Sequence, residues 1–127
     1  MIMKKTLSFL LFIFCVFSSQ AEIIKTKVKS DAMNKDIPCV IMTPTNYNPS
    51  ATYPVIYLLH GYGGNQNTWP DIKKDLSQTA TQDSIIFVCP NGENSWYWDS
   101  PFNKESQFET FISKELVSYV DKNFSTR

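Results

Sequence analysis

His60, Gly61, Tyr62, Gly63 and Gly64 are the residues of this chain whose types and spacing point to chemistry. They close the apolar run Val55-Ile56-Tyr57-Leu58-Leu59, and glycines set around one bulky residue let a backbone turn sharply and bring its amides close to a ligand. His60 is the only histidine, so it is the natural candidate for a general base. A base must lie within hydrogen-bond reach of a nucleophile, however, and the chain offers none in a suitable setting. Its four glycines, Gly61, Gly63, Gly64 and Gly92, bracket no serine as G-x-S-x-G, and Ser95 has no such elbow around it. Cys39 and Cys89 lack the C-x-x-C spacing of a metal or redox site. One histidine and two separated cysteines cannot build a ligand set, so no metal and no cofactor is expected.

The turn must be carried by a strand. An unbroken apolar run at 55–59 suits a parallel strand covered on both faces, because a half-exposed strand would alternate. In open α/β sheets ligands bind at the carboxyl ends of such strands. Thr68 and Asp71 then read as a reciprocal cap, with Pro70 tolerated in the first turn of a helix of about three turns. Ile72, Leu76 and Ala80 recur at spacing four and form its inward face. A second apolar run at 84–89, ended by Pro90-Asn91-Gly92, completes a βαβ unit.

Before this unit, residues 22–29 alternate as an edge strand and 37–43 form a second strand with Pro38 near its start, together an antiparallel opening hairpin. After it, a loop at 93–103 carries Trp96, Tyr97, Trp98 and Asp99. Ser106 with Glu109 reads as the capping box of a long helix. Its stripe is Phe108, Phe111, Ile112, Leu116, Tyr119, Val120 and Phe124, at helical spacing and read as core packing against the sheet. The fold class that follows is α/β: a hairpin, a parallel βαβ unit and a long following helix.

The first 21 residues stand apart. Lys4 and Lys5, an apolar run at 7–17 broken only by Ser8, and Ser19-Gln20-Ala21 have the layout of a signal peptide cut after Ala21. The run is shorter than the about 20 residues that span a bilayer, which leaves a retained anchor as the lesser alternative. Residues 22–127 then form the exported domain, secreted or periplasmic, with ten basic and twelve acidic residues. That balance gives no reason to expect nucleic acid or an anionic membrane surface as a partner. Export permits a Cys39–Cys89 disulfide, conceivable if their strands are antiparallel neighbours, but buried thiols are the preferred reading.

Three blocks together resemble a known family: Tyr-Pro-Val-Ile-Tyr-Leu-Leu-His-Gly-Tyr-Gly-Gly at 53–64, Phe-Val-Cys-Pro-Asn-Gly at 87–92, and Ser-Trp-Tyr-Trp-Asp-Ser-Pro at 95–101, followed by Phe-Glu-Thr-Phe-Ile at 108–112. In this order they are similar to the N-terminal half of the esterase D-like group of α/β-hydrolases. That group includes S-formylglutathione hydrolases, feruloyl, acetyl and tributyrin esterases, and the antigen 85 mycolyltransferases.

The resemblance implies a serine esterase in which the backbone N–H of Tyr62 is one donor of an oxyanion hole. Gly61, Gly63 and Gly64 would shape that turn, and His60 would support it without acting as the base. It also implies that Trp96, Trp98 and Asp99 wall the cleft or fix its loop, and that the substrate is a small ester or an acylated carbohydrate. The nucleophile, acid and base of the family lie later in chain order than these 127 residues, so the chain is expected to be a partial domain, inactive alone, whose strand at 55–59 forms an apolar edge. Two other readings remain: an acyltransferase of the antigen 85 type, and an exported non-catalytic module that binds carbohydrate or a partner through Trp96 to Trp98. The oligomeric state is not fixed by the sequence.

Overall fold

The computed structural model describes residues 21–127, so the expected signal segment lies, Ala21 apart, outside the described residues. Four strands form one sheet in the order β1-β2-β4-β3: β1 (Glu22–Ser30), β2 (Lys35–Thr43), β3 (Val55–Tyr57) and β4 (Ile86–Pro90). β1 and β2 are the antiparallel hairpin, β2 is antiparallel to β4, and β3 runs parallel to β4 with Val55 beside Ile86. The period of two then sorts the side chains. Ile37, Cys39, Ile41, Ile86 and Val88 pack with Phe108, Phe111, Leu116 and Val120, while Val40, Met42, Phe87 and Cys89 pack with Leu76 and Ala80. Helices cover both faces, which is why every residue of β4 is buried and its sequence does not alternate.

The same register decides the state of the cysteines. Cys39 stands opposite Pro90 and Val40 opposite Cys89, so the two thiols, one step apart, lie on opposite faces of the sheet and both are free. Burial pushes Cys39 up to about 12, with the nearby Cys89 adding to the rise, and burial pushes Cys89 up to about 11. Neither is a thiolate at neutral pH, so neither is an available nucleophile.

Several elements depart from the sequence-based expectation. The strand read at 55–59 is shorter, β3 of three residues, though it lies at the sheet edge as expected, with Ile56 39% and Leu59 37% exposed. The other sheet edge, β1, is long but lined by Lys25, Lys27 and Lys29, charges that discourage further pairing. The single helix expected from Thr68 is two, α1 (Thr68–Ile72) and α2 (Leu76–Asp83), separated where Lys73 leaves helical geometry at φ −120 and ψ 83. Ile72 is 68% exposed, whereas Trp69 packs on the Leu76 cluster and donates its Nε1–H to Leu59 O at 2.9 Å. α1 is thus docked through Trp69, not through the spacing-four face.

Both capping boxes are also corrected. Thr68 lies inside α1, where its Oγ1 accepts the Asn65 N–H at 3.0 Å, and Asn67 occupies the cap position without a side-chain bond. Ser106 does not cap the last helix, whose cap position is Gln107. The orphan donor of its first turn is met from the preceding loop instead: Asp99 accepts Thr110 N–H at 3.0 Å and Thr110 Oγ1–H at 2.6 Å. That helix comprises α3 (Phe108–Thr110), a π-helical stretch Phe111–Leu116 and α4 (Val117–Asn123). Its expected stripe holds, with Phe108, Phe111, Leu116 and Val120 buried and Ile112, Tyr119 and Phe124 packed beside them. The π stretch carries Glu115, whose carboxylate accepts from Ser30 Oγ at 2.6 Å and Ala32 N at 2.8 Å and so ties the helix to the hairpin turn. Thr126 forms a parallel bridge to Tyr53, just before β3. No described helix is long and apolar enough to cross a membrane.

Candidate active site

Parallel neighbours end on the same side of a sheet, so the turns that follow β3 and β4 meet. In the first, Gly61 O accepts the His60 Nδ1–H at 2.7 Å and the Gly64 N–H at 3.1 Å. The C=O of Gly61 and the N–H of Tyr62 belong to one planar trans peptide and point in opposite directions. Anchoring the carbonyl on two donors therefore aims the Tyr62 N–H away from them. Among the described residues no group accepts that N–H, whereas the next one, Gly63 N–H, donates to Asn94 Oδ1 at 2.8 Å.

His60 is 4% exposed, and its Nε2 accepts the Gly92 N–H at 2.9 Å. An accepting Nε2 places the neutral ring's proton on Nδ1, the tautomer that donates to Gly61 O. Both ring nitrogens are committed to backbone groups, which leaves no lone pair to take a proton from a nucleophile. Glycine is required at two places in this turn. Gly63 has φ +78, and a Cβ on Gly64 would stand 2.7 Å from Thr68 Oγ1 and 2.9 Å from His60 Nδ1. Gly61 was expected to shape the turn as well, yet it has no positive φ and a Cβ there would meet nothing within 4 Å.

The second turn is built differently. Glu93, Trp96 and Tyr97 adopt φ of 50, 57 and 55, left-handed values that cost a non-glycine residue about 1–2 kcal/mol each. Side-chain bonds hold them there. Ser95 Oγ donates to Gly92 O at 2.6 Å and accepts the Tyr97 N–H at 3.1 Å, and Lys35 Nζ pairs with Glu93 at 2.9 Å. Tyr97 Oη–H donates to His60 O at 2.8 Å, and its ring sits so close to Gly92 that a Cβ there would overlap it. Burial raises the Tyr97 phenol above its ordinary value, so it remains a donor at neutral pH.

Between the turns lies a cavity of about 260 Å³ lined by His60, Gly61, Tyr62, Glu93, Asn94, Trp96 and Tyr97. The Tyr62 and Trp96 side chains, 75% and 78% exposed, stand at its mouth with ring centres 6.0 Å apart. Of the residues expected to wall the cleft or fix its loop, Trp96 lines the cavity. Trp98 and Asp99 lie outside this lining, Trp98 half in solvent with its carbonyl accepting from Phe108 N–H, and Asp99 on the helix start. The Thr110 hydrogen bonds hold the Asp99 carboxyl below the usual carboxylate range. Two cavity residues were given no site role from the sequence: Asn94, whose only signal was its place between the 87–92 and 95–101 blocks, and Tyr97, which lies inside the second of them. Ser95 is tied into the loop and buried. A larger open groove of about 710 Å³, bordered by Ile23, Thr45, Ser77 and Thr81, gathers no titratable side chain.

A mixed sheet with helices on both faces and an amide-bearing turn after a parallel strand fits a partial α/β-hydrolase fold. Within that fold class the chain belongs to the family described as "Putative esterase", whose profile matches residues 30–127. It is 30% identical over 90 residues to an esterase of Mycobacterium tuberculosis, covering 68% of this chain and 20% of that protein. To an acetyl esterase of Caldicellulosiruptor saccharolyticus it is 32% identical over 75 residues, 59% of this chain and 27% of that protein. In structure it matches an S-formylglutathione hydrolase of Agrobacterium tumefaciens at TM-score 0.74 and 15% identity, covering 86% of this chain and 46% of that one. A ferulic acid esterase matches at TM-score 0.71 and 23% identity, covering 87% and 45%. The chain thus spans about a fifth to a quarter of these curated relatives and under half of the solved chains.

Proposed function

We propose that these residues supply the electrophile-stabilising side of an exported serine carboxylic-ester hydrolase that works through an acyl-enzyme. The observation that carries this reading is the uncommitted Tyr62 N–H, aimed by a peptide plane whose carbonyl is held at 2.7 and 3.1 Å. When a serine attacks an ester carbonyl, negative charge develops on the former carbonyl oxygen. A fixed amide stabilises that charge without reorganising, and removing one such donor typically costs about 10² to 10³ in rate. His60 and Gly64 position this donor, and Trp96, with Trp98 nearby, offers an aromatic wall to a small ester or an acylated carbohydrate. The attacking serine, its acid and its base are assigned to residues outside these 127. Residues 1–21 are assigned to a signal peptide and residues 22–127 to the esterase domain.

The test is hydrolysis of p-nitrophenyl acetate by the full-length protein its gene encodes, with and without an added alcohol acceptor. Release of free acetate supports the esterase, and transfer to the acceptor indicates the transferase alternative. No turnover and no covalent labelling by a fluorophosphonate would overturn both. A binding module is the second reading, favoured by the exposure of Trp98 and Phe102 beyond the cavity. It predicts retention on a carbohydrate resin without turnover.

A further inference from the structure

We infer that Asn94 is a positioning residue for the Tyr62 amide, holding the turn from the side opposite to His60. This inference rests on the proposed oxyanion role of Tyr62. Three long-range hydrogen bonds join the two turns. Gly92 N–H to His60 Nε2 at 2.9 Å and Tyr97 Oη–H to His60 O at 2.8 Å both grip the residue two places before Tyr62. Only the third, Gly63 N–H to Asn94 Oδ1 at 2.8 Å, acts after it. The peptide that bears the Tyr62 N–H is bounded by ψ of Gly61 and φ of Tyr62, and with no Cβ at Gly61 the first of these is weakly restrained by sterics. Gly61 is fixed through its carbonyl. The Tyr62–Gly63 peptide is fixed, among the described bonds, by Asn94 through the Gly63 N–H, so rotation of Tyr62 between two clamped planes is suppressed.

Asn94 is suited to this by its setting. It stands between Glu93 and Trp96, both at left-handed φ, in the segment where the Ser95 bonds and the Lys35–Glu93 pair hold the backbone. A side-chain amide oxygen accepts the Gly63 N–H without bringing a negative charge next to a forming oxyanion, as an aspartate would. Occupying the Gly63 N–H also keeps it from drawing the substrate oxygen away from Tyr62.

The test is a double-substitution cycle in the full-length protein, with p-nitrophenyl acetate as substrate. Asn94→Ala removes the acceptor, and replacing Gly63 by glycolic acid during synthesis turns the donor N–H into an ester oxygen. Each single change lowers kcat about 10-fold with KM within about two-fold, a fraction of the about 10² to 10³ expected for losing a donor outright. Acting through one hydrogen bond, the two together cost no more than either alone. Amide hydrogen exchange at Gly63 quickens in Asn94→Ala while the melting temperature of the core stays within a few degrees. Unchanged kcat, a rise in KM alone, or additive losses would overturn the inference. Failure of the underlying reading is distinguishable, because there an amide-to-ester change at Tyr62 itself would leave kcat intact.

Discussion

The turns after β3 and β4 meet at one cavity but reach their shapes by opposite means. The His60–Gly64 turn uses glycine where it needs a left-handed or crowded backbone, and most of its restraint comes from a buried imidazole and a side chain of the other turn. The 91–97 loop places glutamate, tryptophan and tyrosine in left-handed conformations and offsets that strain with its own side-chain hydrogen bonds. One turn is compliant, pinned by its own His60 ring and by Asn94 of the other; the second is strained, held by Ser95 within it and by Lys35 and His60 from outside. The compliant turn presents the amide and the imidazole clamp, and the strained one adds Trp96 beside Tyr62 and the Asn94 and Tyr97 clamps. An oxyanion site gains from this division, since a backbone donor needs close approach without side chains while its supports need reach.

The largest expected effect breaks the link between the two. His60→Ala leaves the buried Gly92 N–H without its acceptor, at about 1–3 kcal/mol, and removes one of the two donors from the carbonyl of the exposed Gly61. Urea unfolding should register about 3–5 kcal/mol in all once the void left by the ring is included. A loss below about 1 kcal/mol would show that the turns stand independently. Next, Gly92→Ala forces a methyl into the Tyr97 ring and should cost about 1–3 kcal/mol, whereas Gly61→Ala, with nothing within 4 Å, should stay within about 0.5 kcal/mol. Equal costs would remove the distinction drawn between crowded and open glycines.

A smaller effect concerns the end of the strained loop. The folded-state value of Asp99 is depressed, so its contribution is full above the ordinary carboxylate value near about 4 and is lost as pH falls through the folded value. Asp99→Ala should cost about 1 kcal/mol at neutral pH and flatten the stability profile on the acid side of pH 4, measured by denaturation at a series of pH values. An unaltered acid slope would assign that slope to other carboxylates. Smallest in stability is Trp96→Gly, which relieves left-handed strain and should leave the melting point unchanged or raise stability by up to about 1 kcal/mol. The same variant should raise KM, and a fall in stability would mean that the Trp96 ring contributes more than its conformation costs.

Much of the fold was legible in the chain because its signals are local. The 86–90 run had to be covered on both faces, and the Phe108 to Val120 stripe stayed on the core even across a π-helical stretch that nothing in its period announced. The misreadings share a cause. Thr68 and Ser106 looked like caps because a serine or threonine followed three residues later by an acid is a local pattern, but the Thr68 hydroxyl is taken by the Asn65 N–H, and the donor beyond Ser106 is met by Asp99 earlier in the same loop. β3 sits at the edge expected of it without a strand on its outer side, and its misread length, three residues where five were apolar, comes from composition that marks burial but not where pairing stops. At the site, His60 and the glycines showed in the sequence as a motif. Asn94 did not, nor did the role of Tyr97 inside its block, because their partners are 31 and 37 residues away and only the parallel pairing of β3 and β4 brings them together.

The measurement closest to the central claim replaces Tyr62 by its α-hydroxy acid in the full-length protein, deleting one N–H and nothing of the side chain. Ester hydrolysis should fall about 10² to 10³-fold in kcat with KM little changed, while Tyr62→Phe keeps kcat near wild type. Retention of full kcat without the Tyr62 N–H would contradict the account.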